Sequence, residues 1–106
     1  MSTKNVYRVK RKKGELPNWF PNDFLLDEGD EVSNPNHPNP DWKNKKVKLT
    51  KEEFSMYMLI TNTETELRYF SQFYPKSDLI KMNDWFVLGL RWFRTTNPKG
   101  YMRLLD

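Results

Sequence analysis

The sequence predicts a mainly α-helical fold, a small single-domain bundle of three to four helices in residues ~50–106 after an irregular N-terminal half. Length is the first reason, because 106 residues make up one domain. Composition is the second: eleven of the sixteen aromatic residues follow position 50, whereas five of the seven prolines lie between Pro17 and Pro40. The third is that helix-start residues and helical apolar spacing recur in the second half only.

The N-terminal half has little to bury and offers only short strands. Residues 5–10 alternate apolar and polar side chains, so they form either a short strand or a frayed basic arm. Residues 34–40 hold three prolines and predict an irregular loop of polyproline II character, because each Pro also restricts the residue before it. Residues 45–49 are a second candidate strand. We therefore expect residues 1–49 to pack on the helical core. They consist of a basic arm, an acidic and Pro-rich loop region and a basic loop.

The helical half begins at Thr50. Thr50 followed by Glu53 matches a capping box, in which each residue's side chain bonds the other's backbone N–H. The positions spaced to share one face of the helix that follows are Phe54, Tyr57, Met58 and Thr61. We expect this face to be the buried one.

A break is expected inside this helical region. The run at residues 61–63 contains two β-branched threonines and an Asn, which weaken a helix. Thr63 with Glu66 then offers a second capping box, and Pro75 stops the helix that it opens. Two short helices are therefore expected before Pro75.

Two short helices joined by a short turn have the rough size of a helix-turn-helix motif. The pair would be residues 51–61 and 64–74. Glu64 and Glu66 would then stand at the end of the second helix that meets DNA, where carboxylates repel phosphate. We therefore do not favour this motif.

The third and longest helix is expected to start at a cap on Ser77 or Asp78. One apolar stripe along it consists of Leu79, Met82, Phe86, Leu90 and Phe93, and an adjacent face carries Trp85, Leu88 and Trp92. A helix that is apolar on two faces predicts a central helix packed on both sides, although residues 85–92 also fit a buried strand.

The last predicted helix follows the pair Asn97-Pro98. Pro has no backbone N–H to lose at the first position of a helix, so Pro98 ends the long helix and opens a short one. The apolar residues of this short helix are Tyr101, Leu104 and Leu105.

Charge is segregated along the chain. The formal net charge is +4, but residues 1–13 carry +6 and residues 43–51 carry +5, while residues 15–41 between them carry −7. Residues 52–106 carry equal numbers of bases and acids. The surplus therefore lies in two short basic blocks, which are either an electrostatic device or solvated tails.

The two basic blocks predict nucleic-acid binding, with single strands preferred over duplex. Clustered Lys and Arg neutralise phosphates and release counterions, and neighbouring aromatic rings stack on unpaired bases. The candidate nucleic-acid-binding residues are Tyr7, Arg8, Lys10, Arg11, Lys12, Lys13, Trp42, Lys43, Lys45, Lys46 and Lys48. If nucleic-acid binding survives the loss of both basic blocks, the remaining clustered bases are Arg91, Arg94, Lys99 and Arg103.

The alternative function is a protein–protein interaction or virion-structural role without nucleic acid. Its anchors would be aromatic residues of the first half, expected to be exposed. They are Trp19, Phe20, Phe24 and Trp42. Salt distinguishes the two, because phosphate binding weakens steeply as salt rises and an aromatic interface responds little.

Several kinds of chemistry are not expected. The chain has no Cys and one His, which excludes a thiolate or His-rich metal site and a Cys nucleophile. Four glycines and the absence of a nucleophile elbow argue against a phosphate-cradling loop or a hydrolase. We expect no enzymatic activity, cofactor, metal or catalytic residue. Without an apolar run of ~18 residues or a signal-peptide pattern, we expect a soluble cytoplasmic protein with no membrane association.

Two loop features are interpreted as plain structure. The acidic run at residues 27–31 lacks calcium-loop spacing, because Gly29 stands where the second ligand belongs. It is expected to be a solvated turn. Another option is that the run shields the neighbouring basic blocks within the chain, which would weaken phosphate binding. Pro35 and Pro38 match a minimal polyproline ligand that is common by chance, and His37 between them is expected to be exposed and inert.

Two stretches carry a family resemblance. Residues 48–57 read KLTKEEFSMY, and residues 90–106 read LRWFRTTNPKGYMRLLD. They resemble small uncharacterised proteins of marine tailed phages, which pair a Leu-Thr-x-x-Glu helix start with a Trp-Phe-Arg-x-x-x-Pro-x-x-Tyr-Met-x-Leu-Leu-Asp ending. The resemblance covers 27 of 106 residues. It implies a viral accessory or virion-associated protein, located in the host cytoplasm or the virion, and it brings no catalytic residues.

Overall fold

Three helices and one antiparallel strand pair form the regular structure of residues 14–105, the part of the chain that the computed structural model describes. The helices are α1 (Lys51–Tyr69), α2 (Lys76–Thr96) and α3 (Pro98–Leu104). Strand β1 (Asp30–Val32) pairs with β2 (Val47–Leu49), and Glu31 lies opposite Lys48. The mainly helical fold class and the strand near residues 45–49 are therefore confirmed. The candidate strand at residues 5–10 lies outside the described residues.

The predicted capping box opens α1. The Thr50 hydroxyl accepts a hydrogen bond from the Glu53 N–H at 3.2 Å, and the Glu53 carboxylate accepts one from the Thr50 N–H at 3.0 Å. Both groups would otherwise be unsatisfied at a helix start.

The break expected at residues 61–63 does not occur. Helix α1 continues unbroken, so the second capping box at Thr63 and the helix-turn-helix alternative are wrong. Thr61, Thr63 and Thr65 each donate the hydroxyl to the carbonyl four residues earlier, at 2.8–3.0 Å. These bonds satisfy the hydroxyls within the helix, so the threonines do not end it.

The buried face of α1 is also not the predicted one. Met58 is 40% exposed, whereas Met56, Leu59 and Ile60 are fully buried. These three residues have helical spacing too, and they lie on the side that meets α2. Because α1 carries apolar residues on both sides, periodicity alone does not identify the side that becomes buried.

Helix α2 carries the predicted stripe but not the predicted cap. It begins at Lys76 with Pro75 at the N-cap and no side-chain capping bond, so the expected cap on Ser77 or Asp78 is wrong. Met82 and Phe93 of the stripe are buried. The adjacent face is open at Leu88, which is 37% exposed, so α2 is not enclosed on two sides.

Helix α3 begins as predicted, with Pro98 at the first position. The Asn97 side chain caps it by accepting a hydrogen bond from the Gly100 N–H at 2.9 Å. Leu104 buries its side chain in the core.

The core lies where α1, α2, α3 and β2 meet, and the N-terminal loops close it. Its members are Phe20, Val47, Leu49, Met56, Leu59, Ile60, Phe93 and Leu104. Two hydrogen bonds fix the loops: the Leu26 N–H donates to the Ser55 hydroxyl at 3.0 Å, and the Trp92 indole N–H donates to the Glu15 carbonyl at 3.0 Å. In residues 14–105, no helix is both long and apolar enough to cross a membrane.

Candidate nucleic-acid interface

The structure describes one of the two predicted basic blocks. Its lysines, Lys43, Lys45, Lys46 and Lys48, are all exposed. The first three lie in the loop at residues 33–46 that joins β1 to β2, and Lys48 lies on β2. The other predicted binding residues, Tyr7, Arg8, Lys10, Arg11, Lys12 and Lys13, lie outside the described residues.

A tight turn carries the three loop lysines, and we call residues 43–46 the basic turn. Asn44 has a φ of +65°, in the left-handed region that Asn tolerates better than most residues. The Lys43 N–H bonds the Asn39 carbonyl at 3.1 Å, and the Lys45 N–H bonds the Trp42 carbonyl at 3.2 Å. No carboxylate of residues 14–105 forms an ion pair with these lysines. Their charge is therefore available to an anion.

His37 anchors this loop to α3. Its ring is 7% exposed and makes two hydrogen bonds, so the expectation of an exposed, inert histidine is wrong. The Asn39 N–H donates to Nδ1 at 2.9 Å, which leaves Nε2 to carry the proton and donate to the Met102 carbonyl at 2.7 Å. The Trp42 ring packs edge-on against His37, with centroids 5.4 Å apart.

Asn34 makes a second bond of the same kind. Its amide Nδ2 donates to the Leu104 carbonyl at 3.2 Å. The last carbonyls of a helix lack partners within it, and here two loop side chains supply them. The basic turn is consequently held against the C-terminal end of α3.

We expect His37→Ala to lower the free energy of unfolding by about 1–3 kcal/mol, the range for leaving a buried polar group without its partner. The substitution removes the bond to the Met102 carbonyl and the acceptor for the Asn39 N–H. Urea unfolding measures the change. Asn36→Ala is the control, because Asn36 is exposed in the same loop. Equal unfolding midpoints for the two variants would contradict the anchoring role.

Lys48 is less available to an anion than the basic turn. It lies opposite Glu31 on the exposed side of the hairpin, and a cross-strand pair of opposite charges interacts favourably. Asp27, Glu28 and Asp30 beside it are also exposed. Within residues 14–105, no group of three or more His, Asp or Glu is arranged to hold a metal ion.

The aromatic residues of the first half are less exposed than expected. Phe20 is 7% exposed and belongs to the core, and Trp19, Phe24 and Trp42 are half-buried. The expected exposure is therefore wrong for Phe20, and the other three are only partly exposed.

Exposed aromatic residues lie instead at the connection between α1 and α2. Tyr69, Phe70 and Phe73 are 62%, 44% and 73% exposed, and we call these three residues the aromatic tip. The Tyr74 hydroxyl next to them donates to Glu66 at 2.8 Å, and this hydrogen bond raises the pKa of Tyr74 above its ordinary value.

Comparison of the chain with protein-family models, with curated proteins and with solved structures finds no match. The resemblance of residues 48–57 and 90–106 to tailed-phage proteins stays a prediction. The features of the described residues that bear on function are the exposed lysines, the loop that holds them and the charges around them.

Proposed function

We propose that this protein binds nucleic acid without catalysing a reaction, using the basic turn together with the basic residues of positions 1–13. One observation carries the proposal: three exposed lysines within four residues have no acidic partner in residues 14–105. Such a cluster gains affinity for a phosphate backbone because each neutralised phosphate releases counterions.

Anchoring of the loop supports this function. His37 and Asn34 fix the loop on α3, so the backbone of the basic turn needs little further ordering when a ligand binds. Ordering costs are a large part of what opposes association, and a pre-ordered loop avoids them.

Single strands are the preferred ligand. Trp42, next to the basic turn, is half-buried and keeps part of its ring available for an unpaired base. Helix α1 offers no continuous basic face for a duplex groove, since its two bases, Lys51 and Arg68, lie at opposite ends and Arg68 is paired with Glu64 at 3.2 Å.

The affinity for a labelled single-stranded oligonucleotide is expected to fall as salt rises, with a log–log slope of about −3 if four phosphates are contacted at ~0.7 each. Lys45→Ala combined with Lys46→Ala should flatten the slope by up to ~1.4. All sequences should weaken alike, because phosphate contacts carry no base information. Fluorescence anisotropy at several salt concentrations measures both effects.

The matched control is Lys76→Ala combined with Lys81→Ala, which removes two exposed lysines from α2. It changes net charge by the same amount and should leave the slope unchanged. Absence of binding at low salt contradicts the proposal, and so does binding that is unchanged by the loss of both basic blocks.

Protein–protein interaction is the second candidate function, favoured by the aromatic tip. Three exposed aromatic residues in five positions are unusual on a surface without a partner, and aromatic residues are frequent anchors of interfaces. Binding of a protein through this tip would respond little to salt. It becomes the leading function if no nucleic acid binds at low salt.

A further inference from the structure

We infer that the groove between α2 and α3 is a second contact point for the same nucleic-acid strand, with Arg91 and Arg94 binding phosphate and the groove floor accepting an unpaired base. This inference rests on the proposed function. It assigns a role to residues outside the two basic blocks.

The groove combines two guanidinium groups with an apolar floor. Its volume is about 240 Å³, and its lining residues are Val87, Leu90, Arg91, Arg94 and Tyr101. Arg91 and Arg94 are three residues apart on α2 and therefore share a face. Tyr101 of α3 is half-buried and forms the aromatic part of the floor. The volume is below the ~300–1,000 Å³ of sites that enclose a whole small molecule, and it suits part of a longer ligand.

Bases outnumber acids at this end of the chain. Four bases, Arg91, Arg94, Lys99 and Arg103, lie between the acids Asp84 and Asp106. Neither Arg91 nor Arg94 forms an ion pair with a carboxylate of residues 14–105. An Arg without a carboxylate partner binds phosphate with two parallel N–H bonds, a geometry that Lys does not provide.

Position on α3 connects the groove to the basic turn. His37 and Asn34 attach the loop to the carbonyls of Met102 and Leu104, and Tyr101 of the groove directly precedes Met102. Arg103 lies between the two anchored residues. Both contact points therefore lie on or against the same seven-residue helix, which is ~10 Å long. Guanidinium groups beside an aromatic ring suit a phosphate next to a base, which favours a nucleic-acid strand as the occupant.

The test uses the full chain and a fluorescein-labelled 12-nucleotide thymidylate strand at low salt. Arg91→Ala combined with Arg94→Ala should flatten the salt slope by up to ~1.4, as the loop variant does. Both side chains are exposed, so this variant should keep the melting temperature of the unmodified chain. Tyr101→Leu should weaken binding about fivefold, the low end for losing a base stacked on an aromatic ring, without changing the slope.

An abasic strand of the same length separates the base contact from the phosphate contacts. Its affinity should be the same for Tyr101→Leu as for the unmodified chain, and it should still fall for the arginine pair. If Tyr101→Leu does not fold, the abasic strand should bind the unmodified chain about 25-fold more weakly than the thymidylate strand, about fivefold for each base lost at Trp42 and at Tyr101. A loss of only about fivefold would mean a single base contact and would overturn the groove.

Three outcomes overturn the inference, and they differ in whether the proposed function survives. Arginine variants that bind like the unmodified chain, while the Lys45 and Lys46 variant binds weakly, overturn the groove and leave the proposed function intact. Polyglutamate that competes as well as the unlabelled strand overturns it in favour of an acidic protein partner. Failure of the unmodified chain to bind the strand at all removes both proposals.

Discussion

Phe93→Ala is expected to lower the free energy of unfolding by about 3–5 kcal/mol, the range for truncating a buried aromatic side chain. The Phe93 ring is fully buried on the inner face of α2, within the core that α1 and β2 complete. Truncation removes apolar contact area and leaves a cavity that the packed helices fill only in part. Total stability of a small domain is only ~5–15 kcal/mol, so the variant should melt far below the unmodified protein.

Phe73→Ala is the matched control, because Phe73 is 73% exposed and the side chain removed is the same. Its unfolding free energy should stay within ~0.5 kcal/mol of the unmodified chain. Urea denaturation followed by Trp fluorescence measures both variants. A small effect at Phe93 would mean that α2 does not pack on α1 through this face.

Sequence alone predicts Trp85 and Phe86 as the costly truncations in this helix. Both side chains are half-buried, so their truncation removes less buried area than that of Phe93. The size of an aromatic side chain sets the largest apolar area that it is able to bury. Packing against α1 decides how much of that area each α2 residue buries.

Local signals in the sequence located three helix ends correctly, which are the starts of α1 and α3 and the end of α2. Thr50 with Glu53, and Asn97 with Pro98, are caps whose partners lie within three residues, so reading the chain in order is sufficient. The continuity of α1 was missed because the threonine hydroxyls are satisfied inside the helix.

Contacts between distant residues explain what the sequence did not indicate about the site. The exposure of Lys43, Lys45 and Lys46 follows from composition, since clustered lysines without partners stay in water. The burial of His37 depends on a carbonyl 65 residues away. The sequence offers the bases of the α2–α3 groove only as a remaining cluster, because the acids of residues 52–106 cancel their charge in the sum.

Gly89→Val is expected to destabilise the protein by about 3 kcal/mol, the upper end for overpacking a tight core. Gly89 lies on the buried face of α2 where it crosses α1. A Cβ at this position would lie 2.9 Å from Ile60 Cγ1 and 3.1 Å from Met56 Sδ. Both neighbours are fully buried, so neither side chain has solvent into which it can move.

Helix propensity acts in the opposite direction and does not compensate. Gly inside a helix is ~0.5–1 kcal/mol less favourable than Ala, so removing it would stabilise α2 if space allowed. The overpacking term is larger, and the close approach of the two helices therefore requires Gly at this position. Asp84→Val in the same helix is the control, because it introduces the same side chain at an exposed position.

A double-mutant cycle attributes the effect to the helix crossing. Ile60→Ala removes the atom nearest to the new methyl groups, so Gly89→Val should cost less in that background than in the unmodified chain. Chemical denaturation of the four proteins gives the coupling energy, which should be at least ~0.5 kcal/mol for residues in contact. Additive effects would place Gly89 away from Ile60 and would refute the packing of α2 on α1 described for this core.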